Sequence, residues 1–178
     1  GGGGVGGMGT GSGLAGGCPP HAGRPQWEAF FALRGMLEAG PLDGVLQRTA
    51  RQKGLAAQAE DCRRDLVASI ERTMKEHAID FIPGSAELGD FDATSTAIGV
   101  SPLGLTSILP QAALDRTFER YLQNFRERRD GGKAWEDYTP YEMRIIGALV
   151  RRGQRIEAYE RRDFCLKDRR PAGCSHGA

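Results

Sequence analysis

Residues 55–77 read LAAQAEDCRRDLVASIERTMKEH, and this stretch decides the class of fold. Leu55, Ala59, Cys62, Leu66, Ile70 and Met74 recur at steps of three and four residues, while Glu60, Asp61, Arg63, Arg64, Glu71, Arg72 and Lys75 fill the other faces. Apolar residues at that period line one stripe of an α-helix, so a long amphipathic helix buried along one side is expected. His77, at its end, reads as a favourable charge beside the last carbonyls rather than as a ligand. Upstream, Trp27 to Ala39 carries Phe30, Phe31, Leu33, Met36 and Leu37 among helix-favouring residues. Gly40-Pro41 is expected to stop that helix, and Leu42 to Lys53 to form a second, short one ended by Gly54.

The same pattern returns downstream. Pro110 stands where a first helical residue should, and Leu114, Phe118, Tyr121, Leu122 and Phe125 form the next stripe, closed by Asp130-Gly-Gly. Thr139-Pro-Tyr-Glu142 has the form of a capping box with proline in the first helical position, and Tyr138 and Met143 are spaced for a hydrophobic staple. Tyr141 to Val150 is apolar on nearly every side, so a helix enclosed by neighbours is expected there. After Gly153 a more charged helix runs from Gln154 to Asp168, and Pro171-Ala-Gly closes the ordered part. No stretch alternates as a strand does. The expectation is an all-α fold of stacked helical hairpins with one long acidic loop in the middle.

A chain of 178 residues has room for one domain of ordinary size. That domain is expected over 25–171. Residues 1–24, mostly glycine as far as Gly17, cannot bury enough surface to offset their chain entropy, and read as a disordered leader. Residues 172–178 read as a disordered tail. GxGxxG-like spacings in the leader lack the flanking strand and helix that a phosphate cradle needs. With Lys+Arg 24 against Asp+Glu 23, the chain has no bulk electrostatic reason to seek nucleic acid or an acidic membrane. No apolar run reaches the roughly 18 residues of a membrane span. Cys18, Cys62, Cys165 and Cys174 show no zinc spacing, and Cys174-Ser-His176 reads as a frayed end, so neither metal nor cofactor is expected. Nothing at the start has the basic flank and apolar core of a signal peptide, which makes a reducing cytoplasm the default location.

Chemistry concentrates in Ile79 to Pro102, IDFIPGSAELGDFDATSTAIGVSP. Glycine, proline and short polar residues argue against a regular helix, and Phe81, Ile82, Leu88, Phe91, Ile98 and Val100 argue against disorder. Glu87, Asp90 and Asp92 are the candidate catalytic residues, because hydrolysis of a glycosidic bond needs one carboxylic acid and one base or nucleophile. A competing structural role is specific: Asp92 would cap a short helix beginning Ala93-Thr94-Ser95, and Asp90 would bind loop amides. A second constellation is Trp135, Glu136, Asp137 and Tyr138 with Tyr141 and Arg144. Aromatic faces stack on pyranose rings while acids take hydroxyls, so these are candidate substrate-binding residues, unless they simply staple and cap a helix. Arg151-Arg152, Arg161-Arg162 and Arg169-Arg170 alternate with Glu157, Glu160, Asp163 and Asp168, and read as a solvated, salt-bridged face.

PGSAELGDFDATSTAIGVSP, LPQAALDRTFERYLQNFRER, AWEDYTPYEMRIIGALVRRG and FCLKDRRPAG together resemble the C-terminal part of bacterial glycoside-hydrolase-like proteins, six-hairpin toroids of the glucoamylase-like kind. The resemblance covers roughly Ile79 to Pro171, and its most specific motifs are GDFDATST and EDYTPYE. It implies a partial (α/α)6 toroid, since a full one needs about a dozen helices and this chain offers about half as many. It further implies a carbohydrate-processing, glycosidase-like domain with Glu87, Asp90, Asp92, Trp135, Glu136, Asp137 and Tyr138 near a sugar cleft. The partners implied are an oligosaccharide or polysaccharide and the remainder of a larger chain. The alternative is a non-catalytic helical-repeat module that binds sugar or protein.

Overall fold

The computed structural model describes residues 25–134 and 140–167, Pro140 by its backbone alone. Six α-helices occur among them: α1 (Gln26–Val45), α2 (Thr49–Glu76), α3 (Ala93–Val100), α4 (Gln111–Arg129), α5 (Met143–Arg151) and α6 (Arg155–Lys167). A 3-10 turn, Pro140–Glu142, leads into α5. Among the described residues there is no strand, only isolated bridges between Pro25 and Ser85 and between Pro83 and Phe91. The expected all-α class is what the chain adopts.

Two hairpins, α1–α2 and α5–α6, flank a short central helix: α3 packs against α1, α4 and α5. In α2 Ala59, Cys62, Leu66 and Ile70 of the expected stripe are buried, Leu55 and Met74 at its ends are half-buried, and Thr73 is buried beside them. Helix α3 is built mostly from small residues, with Ile98 and Val100 the exceptions, and is buried on every side, with only Thr94 partly open among its eight positions. Its smallness is what lets its neighbours approach. A Cβ added at Gly99 would stand 3.1 Å from the Phe30 ring and 3.3 Å from Leu109, so α1 and the loop before α4 meet there on bare backbone. The core joins Phe30 and Leu33 of α1, Leu66 and Ile70 of α2, Phe118 and Phe125 of α4, and Ile145 and Leu149 of α5 around α3.

Several local expectations are corrected. Gly40-Pro41 does not stop α1, which runs on to Val45 with Pro41 inside it. A proline within a helix loses one backbone hydrogen bond. Continuing for another turn buries Asp43, whose Oδ2 lies 3.1 Å from Arg51 Nε and whose Oδ1 lies 4.0 Å from Arg48, and that ion pair ties the end of α1 to the start of α2. Gly54 likewise lies within α2, not at a break. The turn between the two helices places Gln47 at φ 56°, a left-handed conformation that a non-glycine residue adopts at some cost. Helix α5 is not enclosed. Ile145, Ala148 and Leu149 are buried, while Tyr141, Met143 and Val150 are exposed.

Candidate functional site

The segment before α3 is a pinned loop rather than an open one. Ile82 N donates to Thr117 Oγ1 of α4 at 2.9 Å, Gln26 N donates to Gly84 O at 2.8 Å, and Gly84 N donates to Asp90 O at 2.8 Å. Phe81 and Phe91 meet edge to face at 5.2 Å, and the Arg120 guanidinium lies over both rings, 4.6 and 4.9 Å from their centroids.

The three candidate carboxylates are used differently. Asp92 is the N-cap of α3: its Oδ1 accepts from Thr94 N at 2.9 Å, Ser95 N at 3.0 Å and the Thr94 hydroxyl, and its Oδ2 accepts from the Ser95 hydroxyl. Burial raises the pKa of this carboxyl, but the hydroxyls of Ser95 and Thr94 and their backbone amides outweigh burial, leaving it below the ordinary aspartate value. Asp90 Oδ1 accepts from Ser85 N and Ser85 Oγ, each at 2.9 Å, and so closes the loop. Both aspartates crowd Gly84, where an added Cβ would come 2.6 Å from Asp90 Oδ2 and 2.8 Å from Asp92 Cβ. Glu87 is exposed on the outer turn. The structural role foreseen for Asp92 and Asp90 is therefore present in full.

A different acid dominates the electrostatics. Glu142, in the turn before α5, is buried, and its Oε2 accepts from Tyr121 Oη at 2.7 Å and Arg161 Nη2 at 2.7 Å. Arg128 adds a two-pronged contact, Nη1 to Oε1 at 3.0 Å and Nη2 to Oε2 at 3.1 Å. Arg161 Nε donates to Tyr121 Oη at 2.6 Å, and its guanidinium lies 4.8 Å from the centre of the Phe125 ring. Burial holds the Tyr121 phenol well above its ordinary pKa, so it remains a donor to Glu142 while accepting from Arg161. The cluster ties α4, the turn before α5, and α6 together. Outside it, Arg126 grips Glu160 through contacts of 3.2 and 2.9 Å, Arg129 joins the same carboxylate, and the Arg126 contact leads in holding Glu160 below the usual glutamate pKa.

Arg161 is thus not part of a solvated face, as its neighbours in sequence suggested, but the largest fully buried side chain in the described chain. One signal pointed to it: Arg161 falls three residues after Ala158 and three before Phe164, on the inner stripe of α6. Nor is Glu142 simply the second half of a capping box, since its carboxylate faces α4 and α6; Tyr138 and Thr139 lie outside the described residues.

Of the candidate sugar-binding residues, Trp135, Glu136, Asp137 and Tyr138 lie outside the described residues. Tyr141 and Arg144 are brought together, the guanidinium 4.4 Å from the ring centre. A shallow hollow of about 670 Å³ opens between α4 and the α5–α6 turn, lined by Glu119, Leu122, Gln123, Arg126, Glu127, Asp130, Gly132, Gln154 and Glu157. None of Glu87, Asp90, Asp92, Tyr141 or Arg144 lines it. The hollow offers amides, carboxylates and one guanidinium over a leucine, a set that can take hydroxyl groups by hydrogen bonds. Among the described residues no group of three or more His, Cys, Asp or Glu is placed to hold a metal ion. Comparison of the chain with protein-family models, with curated proteins and with solved structures finds no match.

Proposed function

We propose that this chain is a non-catalytic helical binding module whose ligand is a hydroxyl-rich molecule such as an oligosaccharide. The observation that carries this reading is the commitment of Asp92, whose carboxylate caps α3 through two amides and two hydroxyls and so spends its acceptors on the helix. A glycosidase needs one carboxyl held protonated near neutral pH and a second facing the same bond. Asp90 is likewise turned toward its own loop. The hollow beside α4, with Gln123, Gln154, Arg126 and four carboxylates in its lining, supplies polar groups for binding.

A second reading is favoured by one feature. Glu87 is exposed on the loop that also carries the GDFDATST motif, and within a partial (α/α)6 toroid completed by a longer chain it would be the acid left for glycosidase chemistry. One experiment separates the two. A thermal melt followed by circular dichroism, with a panel of oligosaccharides, is expected to show a sugar that raises the transition without being consumed. Consumption of the sugar, lost in Glu87→Gln, would transfer the case to the glycosidase. A melt that no sugar shifts would remove the binding module and leave the glycosidase reading to the completed toroid.

A further inference from the structure

We propose that the tip of the α1–α2 hairpin is a docking surface for an anionic lipid bilayer. Leu42, Val45 and Leu46 are exposed to 64%, 81% and 58%, the most open run of large apolar side chains in the described chain. They stand three and four residues apart at the end of α1, so they share one face and form a single knob. Water-facing apolar groups gathered in this way mark a surface that something covers. The knob lies at the turn of a hairpin and its side chains stand open to solvent, a placement that suits entry into a flat interface.

The charge around the knob selects the kind of surface. Arg48, Arg51 and Lys53 follow it directly, all exposed, and between Leu42 and Ala59 the only acid is Asp43. Asp43 is buried beneath the knob and already opposed by Arg51 and Arg48. Three exposed cations against one acid therefore leave this end of the hairpin net positive in a chain whose overall balance is near neutral. A net positive end is attracted to an anionic headgroup layer, and the apolar side chains then enter the boundary between headgroups and acyl chains. No helix among the described residues is long and apolar enough to cross a membrane, so this contact lies on the surface.

Flotation of the full chain with phosphatidylcholine vesicles, with and without about 30% phosphatidylglycerol, tests the proposal by the charge dependence of surface binding. Binding is expected only with the anionic lipid. It should fall at least about tenfold when 150 mM salt is raised to 500 mM, as exposed charges are screened. Val45→Asp with Leu46→Asp should abolish it while leaving the helical circular dichroism signal unchanged. Lys53→Glu, which leaves the Asp43 ion pairs intact, should weaken it severalfold. No binding to anionic vesicles, or binding that survives both variants, would overturn the proposal. So would a concentration-dependent dimer that the double variant dissociates, since a second copy would then be the cover. The outcome is independent of whether any oligosaccharide binds.

Discussion

The 79–102 loop and the α4–α6 junction each gather carboxylates, yet they use them in opposite ways. In the loop, Asp90 and Asp92 face amides and hydroxyls within five residues of themselves and fix local backbone. At the junction Glu142 reaches Tyr121, Arg128 and Arg161, residues 14 to 21 positions away, and fixes three elements to one another. The first arrangement stays close to solvent and replaces water with local donors. The second removes ions from water and depends on complete pairing. An acid in a loop is thus evidence of a turn until its partners are known, whereas a buried acid beside a buried arginine is evidence of tertiary structure.

The contrast can be broken by substitution. Glu142→Ala should have the largest effect, a loss of about 3–5 kcal/mol in urea unfolding, because it leaves the buried Arg161 and the half-buried Arg128 without their carboxylate. A loss below about 1 kcal/mol would mean that water reaches the junction and that the pairing there is no tighter than at a surface. Asp92→Ala should cost less, about 1 kcal/mol, the ordinary value of a helix cap. That loss carries a pH signature. The folded-state pKa of Asp92 lies below its unfolded value of about 3.9, so its stabilisation is complete above that value and fades as the pH falls through the folded one. Wild type and Asp92→Ala should therefore converge in strong acid, and a difference that held constant down to pH 2 would argue that the carboxylate is not the cap. Glu87→Gln should be smallest, within about 0.5 kcal/mol, as for an exposed side chain away from special features. A larger shift in the melt would show that the outer turn of the loop has a structural partner.

What the sequence disclosed follows from the same distinction. Period-based features were legible: the buried stripe of α2, the end of α5 at Gly153, and the cap at Asp92 all depend on residues a turn or two apart. Features that depend on distant partners were not. Pro41 reads as a stop because a proline weakens a helix locally, and only the Asp43–Arg51 pair, formed across the hairpin, shows what the extra turn of α1 secures. Arg161 reads as a surface residue because arginines usually are, and its burial depends on Tyr121 and Glu142, 40 and 19 residues away. The hollow beside α4 has no sequence signal at all, since its lining comes from α4, the turn after it, the α5–α6 connection and the first turn of α6.

The central position of α3 also orders events in time. A chain made from its N-terminus completes α1 and α2 long before it reaches Ala93, so the two helices can pair while Phe30 and Leu33 still have no α3 to cover them. About two dozen residues separate the end of α2 at Glu76 from Gly99, and at roughly 5–20 residues per second that interval lasts on the order of seconds. For that long, the hairpin presents to the ribosome surface and to any chaperone the apolar face that the finished protein hides most completely.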